Sequence, residues 1–218
     1  STQAKTLFPY TTLFRSSLVG QENVPVELYQ EFMQDIAAEI DRESKIITDL
    51  LTLVKLDKKA SNMNIELVNI NELLDMILKR LHPIAAKRNI ELILEGFRPV
   101  DAEIDETKLS LAISNLVENA IKYNKDEGWV RVSLNADHKY FYVKVADSGV
   151  GIPEDCQDQV FDRFYRVDKA RSRDTGGTGL GLAITKSVVS LHNGEIKLYS
   201  KVGEGTTFTL RIPLKYKG

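Results

Sequence analysis

Within "NLVENAIKYN", residues 115–124, two carboxamides and an ammonium fall on a segment that otherwise reads as an amphipathic helix. A helix advances about 100° per residue, so Asn115 and Asn119 lie about 40° apart, and Lys122 completes one polar stripe. Leu109, Ile113, Leu116, Val117, Ala120 and Ile121 form a broad apolar face, with Asp105 as the expected N-cap and Glu106 in the first turn. Such a stripe fits the solvated back of a surface helix. It also fits chemistry. Asparagine is a poor helix former because its side chain competes for the backbone, so a pair at i and i+4 is an odd surface coat. Two amide oxygens on one face, with an ammonium one turn on, suit a hydrated magnesium ion and the phosphates attached to it.

Glycine clusters raise the same question. "DSGVGIP", residues 147–153, follows a strand and fits a plain turn. Alternatively, Asp147 can accept a hydrogen bond from an exocyclic amine while Gly149 and Gly151 let the backbone approach a flat ring, a pairing that selects adenine over guanine. "DTGGTGLGLAITKSVVSLH" places Gly176, Gly177, Gly179 and Gly181 before and inside the first turn of a helix. Glycine inside a helix costs about 1 kcal/mol relative to alanine. An anion site at the helix N-terminus explains the cluster, and so does a lid hinge. It is neither a P-loop nor a dinucleotide fingerprint. Between the clusters, Phe161 and Phe164 predict a short helix anchored to the core, and Arg166, Arg171 and Arg173 lead toward the glycines, either as solvated surface charge or as phosphate contacts. "GEGTTF" reads as a hairpin turn with a bulge.

The surrounding elements follow from periodicity. Residues 1–24 have no sustained pattern and read as irregular or non-native sequence. From Pro25 to about Leu56, Phe32, Ile36, Ile40, Ile47, Leu51 and Val54 make a narrow stripe on a long helix that needs partner helices. A polar linker ends this region near residue 60, and residues 61–218 carry the rest. There, "IELVNI" predicts a strand, Asn71 a cap for a helix bearing Leu73, Leu74, Ile77, Leu81 and Ile84, and "IELILEG" and "VDAEID" two more strands. "WVRVSLNAD" with "KYFYVKVAD", and "GEIKLYS" with "TTFTLRIPL", predict two antiparallel hairpins, with a helix near 179–192 between them. The expected fold is α+β: a two-layer α/β sandwich, one mixed sheet with helices on one face, preceded by the long helix.

Composition excludes several classes. A formal net charge of −2 without a long basic block argues against nucleic acid. The single cysteine, Cys156, forbids an intrachain disulfide and fits a reducing compartment. No apolar run reaches membrane-spanning length, so the expected location is cytoplasmic, including the cytoplasmic part of a membrane-bound sensor.

Taken in order, the clusters resemble the ATP-binding catalytic domain of sensor histidine kinases, in the Bergerat-fold superfamily shared with gyrase, Hsp90 and MutL. "NLVENAIKYN" is similar to the N box, "DSGVGI" to the G1 box, "FDRFYRVD" to the F box, "GGTGLGLAI" to the G2 box and "GEGTTF" to the G3 region. The resemblance implies that Asn115 and Asn119 hold Mg²⁺, that Lys122 and Tyr123 contact ATP or ADP, and that Asp147 binds the adenine amino group. It further assigns Gly149, Gly151 and Ile152 to the adenine pocket. Arg166, Arg171 and the lid residues Gly177, Thr178, Gly179, Leu180 and Gly181 are assigned to the phosphates, with Thr206 also at the nucleotide. Residues 25–60 resemble part of the dimerisation and phosphoacceptor hairpin, implying a homodimer through the long helix, a cognate response regulator and a histidine-bearing dimerisation domain as partners.

One departure from the family pattern matters. His82, His138 and His192 all lack the acidic neighbour and Arg-Thr-Pro context of a phosphoacceptor histidine and read as surface or packing residues. The expected activity is therefore protein-histidine kinase chemistry on a histidine supplied by another polypeptide, without autophosphorylation. Two alternatives stay open: an ATP-hydrolysing relative, disfavoured because asparagine at position 115 cannot activate water, and a nucleotide-gated interaction module.

Overall fold

The computed structural model describes residues 26–57, 63–96, 98–167 and 177–216. Among the described residues the first element is helix α1 (Val26–Asp57), followed by β1 (Glu66–Asn69), α2 (Ile70–Ala86), β2 (Glu91–Glu95), β3 (Asp101–Ile104) and α3 (Glu106–Lys122). Then come β4 (Trp129–Ala136), β5 (Tyr140–Asp147), two single-turn 3-10 helices (Glu154–Cys156 and Gln159–Phe161), α4 (Gly181–Leu191), β6 (Glu195–Lys201) and β7 (Gly205–Pro213). The expected irregular segment 1–24 lies outside the described residues.

Five strands form one mixed sheet in the order β2-β4-β5-β7-β6. The two expected hairpins are present as antiparallel pairs, β4 with β5 and β6 with β7. β2 joins β4 in parallel, and β3 pairs antiparallel with β1 in a separate two-stranded ribbon. Alternation decides which face is buried. Val130 and Val132 of β4, Phe141, Val143 and Val145 of β5, and Leu210 and Ile212 of β7 all point into the core, where α2 and α3 cover them. Helices thus occupy one face of the sheet, as the α+β reading requires.

α3 is the central support. Leu109, Ile113, Leu116 and Val117 are fully buried, with Ala120 and Ile121 nearly so. Burying a side chain of this size stabilises the fold by roughly 1.5–3 kcal/mol. Asp105 caps the helix as expected, its carboxylate accepting the Lys108 N–H at 3.0 Å. For α2 the cap is Asn69 rather than Asn71: Asn69 Oδ1 accepts the Glu72 N–H at 3.1 Å. Asn71 lies in the first turn and reaches across to the β2–β3 connection, donating to Arg98 O at 3.2 Å and accepting the Val100 N–H at 2.9 Å. Phe164 also departs from expectation. Phe161 packs edge-on to Phe208, with ring centroids 6.1 Å apart, whereas Phe164 is exposed with φ 64°, so no short helix continues through it. The Phe164 N–H instead donates to Gly179 O at 2.9 Å.

The chain divides into two compact units inside α1, between Ser44 and Lys45. Within the second unit, Leu53 and Leu56 of α1 are buried with Ala112, Leu180, Ala183, Ile184 and Val188. These are not the residues of the expected stripe. Phe32 and Ile36 of that stripe are half-buried, whereas Ile47, Leu51 and Val54 are 50–58% exposed, because they lie on the side of the helix away from Leu53. No helix among the described residues is long and apolar enough to cross a membrane.

His192 ends α4 as a packing residue. Its Nε2 accepts the Asp105 N–H at 3.0 Å while Nδ1 lies 2.8 Å from Val188 O, so the ring is neutral with the proton on Nδ1. Burial holds its pKa below the ordinary value. Below about pH 6.5 the unfolded chain therefore takes the proton first, and the stability contributed by neutral His192 is lost as pH falls toward the lower folded-state pKa. His192→Phe should lower unfolding free energy by about 2 kcal/mol at pH 7.5 by stranding a buried N–H. In denaturant titrations the gap to wild type should narrow from pH 7.5 to pH 5.

Candidate functional site

The polar stripe of α3 faces the glycine-rich start of α4. Asn115 Nδ2 donates to Gly181 O at 3.3 Å, and a Cβ on Gly181 would lie 3.5 Å from the Asn115 carboxamide carbon. Two turns along α3, Lys122 Nζ would lie 2.5 Å from a Cβ on Gly177. A side chain at Gly177 would therefore push the Lys122 ammonium from this position. Asn115 thus turns its amide nitrogen to α4, which leaves Oδ1 as an acceptor. The Asn119 carboxamide is partly buried and forms no hydrogen bond within the described residues. Two amide oxygens with open coordination positions fit a hard divalent cation.

A second arm of the site begins where α3 ends. The Tyr123 carbonyl accepts the Val150 N–H at 3.1 Å, and a Cβ on Gly149 would lie only 2.4 Å from that oxygen. Gly151 adopts φ 73° with Lys201 O 2.1 Å from the position of a Cβ, so both conformation and space require glycine. Asp147 Oδ1 accepts N–H groups from Gly149 at 2.8 Å and Thr206 at 3.2 Å. Oδ2 accepts none among the described residues. Burial pushes the Asp147 pKa up to about 6, against the pull of those two amides. The result is a desolvated carboxylate with one oxygen fixed by the protein and one available to a ligand.

The remaining expected residues distribute as follows. Partial burial raises the Tyr123 phenol pKa, and the charge of Arg166 opposes the rise, which places the guanidinium near the ring. Lys122 Nζ lies 5.1 Å from the same ring centroid. Thr178 Oγ1 donates to Asp49 Oδ2 of α1 at 2.7 Å and accepts the Leu180 N–H at 3.2 Å. The Leu180 side chain is fully buried, so it anchors the start of α4. Gly179 takes φ 73° over the Phe164 backbone. Ile152 packs on the core, and its N–H donates to Ser200 Oγ at 2.8 Å. Thr206 meets Asp147 through its backbone, while its hydroxyl lies 2.9 Å from Ser200 Oγ. Arg171 lies outside the described residues, as do Arg173 and Gly176.

Several supporting residues carried no signal in the sequence. Asn124 is buried, with Nδ2 donating to Trp129 O at 3.0 Å and Oδ1 accepting from Ser148 Oγ at 3.0 Å. Gln157 Nε2 bridges Ile152 O and Ser200 O, each at 3.0 Å. Together with Ser200 they fasten the loop after β5 to α3 on one side and β6 on the other. Only the terminal asparagine of "NLVENAIKYN" hinted at this, as a polar residue at an apolar helix end.

Comparison with known proteins identifies the family. The family description "Histidine kinase-, DNA gyrase B-, and HSP90-like ATPase" matches residues 104–216, which include α3, the loop after β5, α4 and the final hairpin. Sensor histidine kinase WalK of Bacillus subtilis is 38% identical over 192 residues, covering 87% of this chain and 31% of that protein. The chain thus spans about a third of the length of the curated relatives it matches. Among solved structures, the catalytic domain of histidine kinase ThkA superposes with TM-score 0.63 at 27% identity, covering 70% of this chain and 97% of that one. ThkA in complex with response regulator protein TrrA gives TM-score 0.73 over 92% of this chain and 55% of that one, at 24% identity, a likeness of fold. With its sandwich fold and its glycine loops gathered around α3, this chain belongs to the histidine kinase-, DNA gyrase B- and HSP90-like ATPase family.

Proposed function

We propose that this chain is the catalytic part of a two-component sensor histidine kinase that binds Mg-ATP and passes the γ-phosphoryl group to a histidine on another polypeptide. The observation that carries the reading is the meeting of Asn115 and Lys122 with Gly181 and Gly177, beside a loop that presents a half-satisfied carboxylate at Asp147. Asn115 and Asn119 would hold Mg²⁺ through their amide oxygens, and the ion when bound would neutralise phosphate charge. Lys122 and Arg166, with Arg171, supply further positive charge toward the triphosphate. Asp147 Oδ2 accepts the adenine amine. Phosphoryl transfer joins an imidazole nitrogen to the γ-phosphorus as its bond to the bridging oxygen breaks and ADP departs. The chain's work is to position and to neutralise charge.

None of the three histidines suits the acceptor role. His192 is buried with both ring nitrogens engaged, and His82 and His138 stand on the surface without a phosphoacceptor motif. Along α1, Val26, Met33, Ile40, Ile47 and Val54 recur every seven residues and are 50–67% exposed. That line fits a seam with a second copy, and the response regulator and histidine-bearing domain remain expected partners. A second reading, a nucleotide-gated interaction module, draws support from the Thr178–Asp49 hydrogen bond, which ties the start of α4 to α1.

Binding, titration and transfer experiments test this. In thermal-shift titrations, millimolar Mg-ADP should raise the melting temperature of wild type by several degrees through mass action, and Asn119→Ala should lose most of that rise. Asp147→Asn keeps an Oδ1 acceptor for Gly149 and Thr206 but turns an NH₂ toward the ligand, so ADP affinity should fall about 10- to 100-fold. Because the folded-state pKa of Asp147 is raised from 3.8 to about 6, its stabilising effect belongs to the protonated form and is lost as pH rises through 6. The free Asp147→Asn protein should therefore be at least as stable as wild type at pH 7.5. Affinity of wild type for ADP should weaken from pH 7.5 to pH 5, as a proton on Oδ2 converts acceptor to donor. Absence of any nucleotide-dependent shift in wild type overturns the reading. With radiolabelled ATP, the chain alone should gain no acid-labile phosphate, whereas an added histidine-bearing dimerisation domain should; binding without transfer to any such domain favours the gated module.

A further inference from the structure

Arg88 stands in the turn after α2, remote in sequence from every candidate site residue. Its guanidinium wraps the C-terminal end of α3. Nη1 donates to Ile121 O at 2.7 Å and Lys122 O at 2.8 Å, and Nη2 donates to Asn124 O at 2.9 Å. Nε and Nη2 also reach Asp126 Oδ1, at 3.3 and 3.1 Å. The last carbonyls of any helix lack intrahelical partners. Here one planar cation gathers the carbonyls of residues 121, 122 and 124. The carbonyl it leaves out, that of Tyr123, is the one that accepts the Val150 N–H at 3.1 Å.

We infer that Arg88 is a positioning residue for the base-binding half of the site, fixing the loop after β5 against the end of α3 without touching the ligand. The chain of contacts is continuous. Arg88 fixes where α3 stops, and that stop aims the Tyr123 carbonyl at Val150. Asn124, whose carbonyl Arg88 holds, binds Ser148 Oγ through its own side chain at 3.0 Å. Residues 148 and 150 are thereby tied on either side of Gly149, whose N–H fixes Asp147 Oδ1 at 2.8 Å. An error in the α3 terminus therefore moves the carboxylate that would read the base. Lysine cannot substitute, because a single ammonium cannot span three carbonyls and a carboxylate in one plane. With the Asp126 side chain 81% exposed, its ion pair with Arg88 is the minor part, and the neutral carbonyl contacts carry the geometry.

The inference rests on the nucleotide reading, and its test separates the two. ADP and GDP dissociation constants are measured by calorimetry for wild type, Arg88→Met and Arg88→Lys, well below each melting temperature. His192→Phe serves as a control for lost stability away from the site. Arg88→Met should weaken ADP about tenfold or more while changing GDP less, so the ADP:GDP preference falls at least about fivefold; His192→Phe should keep the wild-type preference. In parallel, hydrogen exchange of the Val150 amide in ligand-free Arg88→Lys should accelerate at least about tenfold relative to amides of β4 and β5. Wild-type ADP affinity and preference in folded Arg88→Met, or unchanged Val150 exchange in Arg88→Lys, overturns the inference. If wild type binds neither nucleotide, the site reading fails, and Val150 exchange alone then decides whether Arg88 fixes the loop.

Discussion

Everything in this chain depends on the two-sided burial of α3. Its apolar face is locked into the core between the sheet and α2, and this leaves the helix no freedom to rotate. The stripe of Asn115, Asn119 and Lys122 is consequently aimed in one direction. A helix rotated by a single residue, about 100°, would bury the carboxamides and expose leucine. The core therefore does more than stabilise: it is the jig that holds a polar ledge in register with the glycines of α4.

Around that ledge the site is built largely from missing side chains and oriented amides. Gly149 and Gly177 lie where a Cβ would strike the Tyr123 carbonyl or the Lys122 ammonium, and Gly181 lets the α4 backbone lie against the Asn115 carboxamide. Close approach of backbone to side chain excludes water and lowers the local dielectric, which raises the affinity of Asp147 for its proton. Two amides hold one oxygen of that carboxylate and define the direction of the other. The same loop is braced from outside by hydroxyl and carboxamide groups at Asn124, Ser148, Gln157 and Ser200. Preorganisation of this kind places the cost of ordering in the fold, so that a ligand finds the site already shaped.

The sequence is legible where one element carries its own pattern. The hairpins β4–β5 and β6–β7 alternate cleanly, and the cap of α3 and the apolar face behind its polar stripe follow from spacing alone. Where two residue choices were locally equivalent, tertiary contacts decided. Asn69 and Asn71 are both competent caps, and the β2–β3 connection recruited Asn71, which left the cap to Asn69. Phe164 has the spacing of a buried anchor, but its N–H is claimed by Gly179 O and its ring is left outside. On α1, the face that packs carries Leu53 and Leu56, while Ile47, Leu51 and Val54 of the more regular stripe stay exposed.

By itself, the sequence determined most of the elements, the mixed sheet with helices on one face, the family resemblance and the clusters whose residue types suit a cation, phosphates and a purine. These properties are set by periodicities of two and 3.6 residues and by the limited conformations open to glycine and asparagine. Only the tertiary structure decided that β2 lies parallel to β4, that β7 inserts between β5 and β6, that Asp147 is desolvated, and that Arg88 closes the end of α3. Those depend on contacts between residues far apart in the chain, and a guanidinium or a hydroxyl in a turn has the same local appearance whether it faces water or three waiting carbonyls.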